Sequence, residues 1–435
     1  MEGGMARLKV LISAHEISPD QGSECAEGWN LVTRIARYHD VTVLHARGSQ
    51  FAPTAYHAAI QKYYSENENE HRIRFIPISQ PRMTRWLAAL NKRISRNRSS
   101  IGVPMLYFIG YRLWQRSAYR TAKSLVEDSA SGPEPFAVCH HLTQIAFREP
   151  GFMWKLKVPF VWGPTGGNTA VPISFFRHIG PRAAVFEIIR AITNRLILNH
   201  SRRVGQAMRK SALIYAFSQE DQRLFRERGA RRVELMLDAG CNSAVANNPA
   251  PRADNRLRIL WCGNLIKRKA LEILLKAVAG DPELAQRVEI TVVGDGPLRA
   301  RYEGMIRRLH LTSTTIAGWL PRDRVFNEMI EADVLVHTSY REATSNVIPE
   351  ALSCGLPVVC HDVSGMSIAV TEECGIKIPL VSHGASVAAF RDALRRLSDD
   401  PRGLAALKSG AVSRSAHLSW DAMAEQISKD YFQIA

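Results

Sequence analysis

Two glutamates with seven residues between them, Glu342 and Glu350, bracket the stretch of this chain best equipped for chemistry: Ser-Tyr-Arg-Glu-Ala-Thr-Ser-Asn-Val-Ile-Pro-Glu-Ala-Leu-Ser-Cys-Gly-Leu-Pro-Val-Val, residues 339–359. The pattern predicts a strand ending near Thr338, an acidic loop, a helix, a Gly-Leu-Pro turn and another strand. Glu342 then lies at the carboxyl end of a strand, where open α/β sheets bind ligands, and Glu350 lies about one turn into the helix. The amides of Thr344, Ser345, Asn346 and Val347 open that helix, and unpaired N–H groups at a helix start favour a phosphate. One loop thus offers a carboxylate, a phosphate cradle and a second carboxylate.

Upstream, Leu-Trp-Cys-Gly-Asn-Leu-Ile-Lys-Arg-Lys-Ala, residues 260–270, sets Gly263 and Asn264 after a strand and follows them with Lys267, Arg268 and Lys269. Basic side chains suit a phosphate-bearing ligand, because charge-assisted bonds stabilise its negative charge. Gly294 and Gly296 in Gly-Asp-Gly-Pro end a strand and open a helix, a tight turn that lets backbone approach a nucleotide. Trp319 follows Gly318 in a similar loop. In the first half, Gly22 and Ser23 follow the first strand in a flexible turn. His140 and His141 close the fourth strand, where an imidazole can hydrogen-bond a hydroxyl near neutral pH. Gly166 and Gly167 belong to a glycine-rich loop after the fifth strand.

The elements that must position these residues follow from periodicity. Apolar β-branched segments alternate with helical patterns throughout, the mark of βαβ units and mostly parallel sheets. Strands are predicted at 9–13, 41–45, 73–77, 136–140, 159–162 and 212–217, then at 257–262, 289–293, near 314 and at 334–337. Helices are predicted from about Ala270 and from Leu298. With 435 residues the chain is long enough for two α/β domains. Pro-Ala-Pro-Arg-Ala-Asp-Asn, 249–255, reads as the linker. The expected organisation is an N-terminal acceptor-side domain over 1–248, a nucleotide-binding domain over 256–414, and a terminal helix over 415–435 that packs back on the first lobe.

The Glu342 and Glu350 pair, followed by Ala-Leu-x-x-Gly-Leu-Pro-Val-Val, resembles the retaining group-1 glycosyltransferases, glycosyltransferase family 4, of GT-B fold. The resemblance spans most of residues 7–432 and is more specific in the second half. It implies two Rossmann-like lobes facing across a cleft and transfer of a sugar from a nucleotide diphosphate donor to a glycan or lipid-linked acceptor, in cell-surface polysaccharide synthesis. By the same resemblance Glu342 contacts the transferred sugar and Glu350 the ribose hydroxyls. Lys269, with Arg268, neutralises the diphosphate, the Trp319 loop faces the base, and His140, with His141 second, stands near the donor sugar. Gly22, Ser23, Gly166 and Gly167 fall on the acceptor side. Asn264 and Ala270 depart from the arginine and glycine usual in the family.

The sequence has neither Asp-x-Asp nor Gly-x-x-x-x-Gly-Lys-[Ser/Thr]. The expectation is catalysis without metal or added cofactor, the UDP-, GDP- or ADP-sugar being a substrate. A start without a signal-like apolar segment predicts a cytoplasmic protein. Seven cysteines without a Cys-x-x-Cys read as reduced thiols. Residues 1–250 hold 34 Lys/Arg against 19 Asp/Glu, so the net charge of +16 belongs to the first half. Within it, residues 72–123 carry twelve basic and no acidic residues among aromatic and aliphatic ones. That composition suits the anionic inner face of a plasma membrane better than nucleic acid. A solvated helix pair is the plain competitor. Two further readings stand beside the transferase: a sugar-nucleotide epimerase on the same fold, and a non-catalytic membrane-surface binder.

Overall fold

The computed structural model describes residues 7–22, 24–49, 52–67, 73–95, 103–242 and 256–435. Two parallel sheets carry it. In the first lobe, β1 (Lys9–Ala14), β2 (Asp40–Ala46), β3 (Ile73–Ile78), β4 (Val138–His141), β5 (Phe160–Thr165), β6 (Leu213–Ala216) and β7 (Val233–Leu235) lie in the order β3-β2-β1-β4-β5-β6-β7. In the second, β8 (Leu257–Cys262), β9 (Val288–Val293), β10 (Thr314–Gly318), β11 (Val334–His337), β12 (Val358–His361) and β13 (Gly375–Ile378) lie in the order β10-β9-β8-β11-β12-β13. Every strand pair in both sheets is parallel. The expected two-lobe α/β architecture is therefore present, and each order reverses at β1/β4 or β8/β11, where such sheets bind ligands. The expected linker at 249–255 lies outside the described residues.

Both faces of each sheet are covered by helices, which explains strands that are apolar on both sides. In the second lobe Trp261, Val292 and Val336 are buried with the helix Leu271–Ala279, whose Leu271, Ile273, Leu274, Leu275 and Val278 are fully buried. Burying such side chains contributes about 1.5–3 kcal/mol each. In the first lobe Val10, Ile12, Val43 and Val161 pack under the helix Glu24–Ile35. The terminal helix Trp420–Ile434 packs on that same helix and joins the core with Trp420, Ile427 and Tyr431. Tyr215 Oη donates to Asp430 at 2.8 Å, and Arg232 pairs with Asp430 at 2.5 Å, so the chain's end is fastened to the first lobe.

The lobes also touch through the segment after β5. Val171, Phe175 and Ile179 are buried in the second lobe's core, and Phe175 lies 4.8 Å from the Tyr340 ring. Arg341 of the second lobe pairs with Glu187 of the helix Pro181–His200 at 2.9 Å. That helix is inverted. Its polar Glu187, Arg190 and Asn194 are buried while Val185, Phe186, Ile189, Ile192 and Leu196 are exposed. The buried polar side chains brace the neighbouring loop. Arg190 donates to the carbonyls of Gly167 and Thr169, and Asn194 donates to Gly167 as well. The glycine loop after β5 is thereby held from one side.

Candidate active site

Between the lobes lies a cavity of about 440 Å³. Its second-lobe wall begins with Gly263 and Asn264 after β8 and Gly294 after β9. A side chain on Gly294 would sit 2.0 Å from the Gly263 carbonyl, at φ +135°, so glycine is required for these loops to meet. Gly296 stands next to them, its amide donating to the Asp295 carboxylate, but off the wall. Trp319 is 75% exposed at the mouth and, with Leu320 and Val325, supplies an apolar side. Thr344, Ser345, Asn346 and Val347 complete the wall ahead of the short helix Val347–Ser353.

Glu342 and Lys269 meet on this wall. Lys269 Nζ lies 2.7 Å from Glu342 Oε1 and 3.4 Å from Ser345 Oγ, and Arg268 reaches Glu342 Oε2 at 2.5 Å. Burial alone would raise the Glu342 carboxyl, but the Lys269 and Arg268 cations outweigh it and hold the group down to about 2. It is a fixed anion. Its geometry is enforced from behind: Trp261 Nε1 donates to Thr338 Oγ1 at 3.0 Å, and Thr338 Oγ1 donates to the Lys269 carbonyl at 2.7 Å. His361 bridges the Ser339 carbonyl and Ser386, while the Ser339 hydroxyl donates to Glu342 at 3.0 Å. A basic turn and an acidic loop from different strand ends are thus locked together by buried hydrogen bonds.

Glu350 is set back from the cavity. It pairs with Arg322 at 3.0 Å, and burial raises its carboxyl against that arginine's pull. Ala270, where a glycine would be at home, adopts a left-handed conformation at φ +50° directly after Lys269.

The first lobe contributes what the sequence reading did not single out. Glu24, Glu27 and Asp238 line the same cavity, with Ile145 between them. Glu24 and Glu27, three apart, share one face of the helix Glu24–Ile35. Glu24 accepts the Ile145 amide at 2.9 Å, and the neighbouring Glu16 accepts the Tyr107 hydroxyl at 3.0 Å. Burial raises all four carboxyls, with repulsion from neighbouring carboxylates adding to it at Glu16, Glu27 and Asp238: Glu16 to about 8, Asp238 to about 7, Glu24 upward and Glu27 far upward. The available signal was a buried-face acid beside Gly28, whose hydrogen faces the Glu16 carbonyl so closely that a Cβ would sit 2.7 Å from it.

The two histidines need correction. His140 is fully buried, with Nε2 2.7 Å from the Gly163 carbonyl and Nδ1 2.6 Å from Tyr431 Oη. Donation to the carbonyl leaves Nδ1 to accept from the tyrosine, and burial lowers the ring to about 4. No nitrogen is left for a sugar, and the residue fastens the terminal helix to the sheet. His141 is also buried, lies beside Tyr111 rather than on the cavity wall, and is lowered to about 3 by burial. Gly166 and Gly167 are structural as well: Asp221 accepts the Gly167 and Asn168 amides at 3.2 and 3.1 Å, and a side chain on Gly166 would strike that carboxylate. Gly22 is exposed and off the cavity wall, and Ser23 lies outside the described residues.

Residues 256–400 match the family described as Glycosyl transferases group 1. A D-inositol 3-phosphate glycosyltransferase of Thermomonospora curvata is 32% identical over 224 residues, 48% of this chain and 49% of that protein. The chain thus spans about half the length of the curated relatives it matches. Among solved structures, sucrose-phosphate synthase from Thermosynechococcus elongatus superposes with a TM-score of 0.62 at 17% identity, over 98% of this chain and 99% of that one. Anabaena HepE in complex with UDP-glucose superposes with a TM-score of 0.58 at 18% identity, over 98% and 100%. Over residues 256–400 the second lobe is thus similar to the group 1 glycosyl transferases, and the Lys269 and Glu342 wall lies within the matched span.

Proposed function

We propose that the protein transfers a sugar, with retention at the anomeric carbon, from a nucleoside diphosphate donor to a glycan or lipid-linked acceptor. The observation that carries this is the Lys269, Arg268 and Glu342 cluster: two cations beside a permanently ionised carboxylate on the wall of the interlobe cavity. In this reading the nucleotide lies along the Gly263 and Gly294 turns with its base against Trp319, and the ribose role of Glu350, which is set back from the cavity and paired with Arg322, rests on the motif resemblance alone. The diphosphate meets Lys269 and the amides of residues 344–347. As the bond between sugar and phosphate breaks, negative charge builds on the leaving group and Lys269 stabilises it. Glu342 orients the sugar and holds the lysine. Retention rests on the motif resemblance alone.

The relative's printed name supports sugar transfer, and the UDP-glucose of the structural neighbour supports a nucleotide-sugar donor, without fixing the base or sugar here. Glu342→Ala tests the assignment: transfer and donor hydrolysis should drop at least about a hundredfold, and activity equal to the parent removes the role.

Peripheral binding to an anionic membrane belongs to the same proposal, at the inner face and in support of surface-polysaccharide assembly. Among the described residues no helix is long and apolar enough to cross a bilayer. Within residues 72–123, the helices Arg82–Ser95 and Pro104–Ala130 pack together and leave Met83, Trp86, Ile94 and Met105 exposed among arginines. The helix Pro181–His200 exposes a second apolar stripe, Val185, Phe186, Ile189, Ile192 and Leu196. Anionic vesicles floated at low salt should carry the protein upward, and protein left wholly at the bottom overturns this part.

A further inference from the structure

Among the described residues, the carboxylates on the first-lobe wall have no cation to balance them. Glu27 is 2% exposed, borders the cavity, and its Oε1 makes no hydrogen bond. Asp238 Oδ1, on the same wall, has none either. Glu24 brings a third carboxylate to the wall, and Glu16 stands behind it. Among the described residues of the wall the basic side chain is Lys269, and it is engaged by Glu342 at 2.7 Å. Carboxylates without a counter-charge are expensive to bury. They open on the half of the cavity that faces the donor wall, where the attacking group of an acceptor has to lie.

We infer that Glu24, Glu27 and Asp238 form an acceptor subsite for an amine-bearing sugar or cyclitol, whose ammonium supplies the absent counter-charge and whose accepting hydroxyl is thereby turned to the donor. This rests on the transferase reading above and adds the acceptor's chemical class. An ammonium forms charge-assisted hydrogen bonds with two carboxylates at once, whereas a neutral hydroxyl offers one weaker donor. A phosphate at the same position meets acid oxygens, which become like charges once they ionise, and no free cation. The site therefore ranks acceptors by charge: amine first, hydroxyl second, phosphate last. This sets the chain apart from the relatives named for inositol 3-phosphate, whose similarity covers about half of it.

The experiment uses the full-length protein with UDP present and three probes of one ring size, methyl glucosaminide, methyl glucoside and glucose 6-phosphate, read by saturation-transfer NMR and titration calorimetry. The glucosaminide should bind at least about tenfold more tightly than the glucoside, and the phosphate more weakly than either. Glu27→Gln and Asp238→Asn should each erase that preference, and Glu27→Gln should leave UDP affinity within about twofold. Equal binding of glucosaminide and glucoside, or preference for the phosphate, overturns the inference. So does a preference that survives both substitutions. If the parent binds no UDP, the nucleotide reading falls and takes this one with it; if UDP binds and the amine preference is missing, the acceptor inference alone fails.

Discussion

The two walls of the cleft use the same functional group in opposite states. On the second lobe, Glu342 is ionised well into acid because Lys269 and Arg268 flank it. On the first, Glu16, Glu24, Glu27 and Asp238 crowd together with no cation of their own among the described residues, and burial pushes them toward the neutral form. Burial is common to both, so the difference lies in partners. A carboxylate with cations is a fixed part of the wall, and carboxylates without them are waiting for charge from outside. Opposite protonation across a few side chains matches the proposed division of the cleft into a donor half and an acceptor half.

The strongest way to break this contrast is to remove the cation on the ionised side. Lys269→Met leaves Glu342 buried with Arg268 alone, and a half-broken buried ion pair costs about 3 kcal/mol or more of stability. The same change withdraws the charge offered to a departing diphosphate, so kcat should fall by about 10²–10³ with a smaller effect on donor KM. Thermal denaturation and steady-state kinetics of the variant check both. A variant with parent-like turnover would detach the Lys269 and Glu342 pair from catalysis.

The pH dependence of stability sharpens the comparison. Glu16 and Asp238 hold protons to about 8 and about 7, whereas in the unfolded chain they release them at their ordinary values of 4.5 and 3.8. Between those limits the folded state binds more protons, so its stability declines as pH rises and levels off above about 8. Glu342 acts with the opposite sign. Its depressed value means that stability is present above 4.5 and is lost as pH falls toward about 2. Each proton contributes a slope of about 1.4 kcal/mol per pH unit within its window. Denaturant titrations from pH 4 to 9 should show the decline, and Glu16→Gln should flatten it without altering the acid side. A profile flat from pH 5 to 8 would mean that the first-lobe carboxylates are ionised after all.

How much of this could be read beforehand differs between the lobes for a physical reason. The second lobe's site is made by short contiguous segments, 260–270 and 339–350, each a strand end and the turn after it, so Lys269 and Glu342 are legible where they stand. The first lobe's wall is assembled from Glu24 and Glu27 on a helix, Ile145 after β4 and Asp238 after β7, and their meeting depends on sheet order rather than on local pattern. The strands read as apolar runs lie within one or two residues of the observed ones, except that β5 runs three residues past its expected end, to Thr165. β7 and β13 were missed; at three and four residues, with polar Glu234 and Lys377 within them, they give little periodic signal. His140 was misread because a histidine at a strand's carboxyl end looks available until its partners are known. Tyr431, 291 residues away, takes one nitrogen, and no local pattern announces that.

The smallest effect concerns the departure at Ala270. This residue is buried and left-handed at φ +50°, a conformation costing alanine about 1 kcal/mol more than glycine. Ala270→Gly relieves that strain but removes a buried methyl worth about 0.8 kcal/mol and loosens the unfolded chain. The terms oppose one another, so the net change should stay within about 1 kcal/mol, a shift of a few degrees at most in Tm. Since the Lys269 carbonyl is held by Thr338 rather than by the alanine side chain, the lysine should keep its place and kcat should remain within about twofold. A large loss of activity with stability intact would show that the methyl group, and not the Trp261 and Thr338 hydrogen-bond chain, aims Lys269 at Glu342, and the donor wall would then owe its geometry to packing beneath the turn.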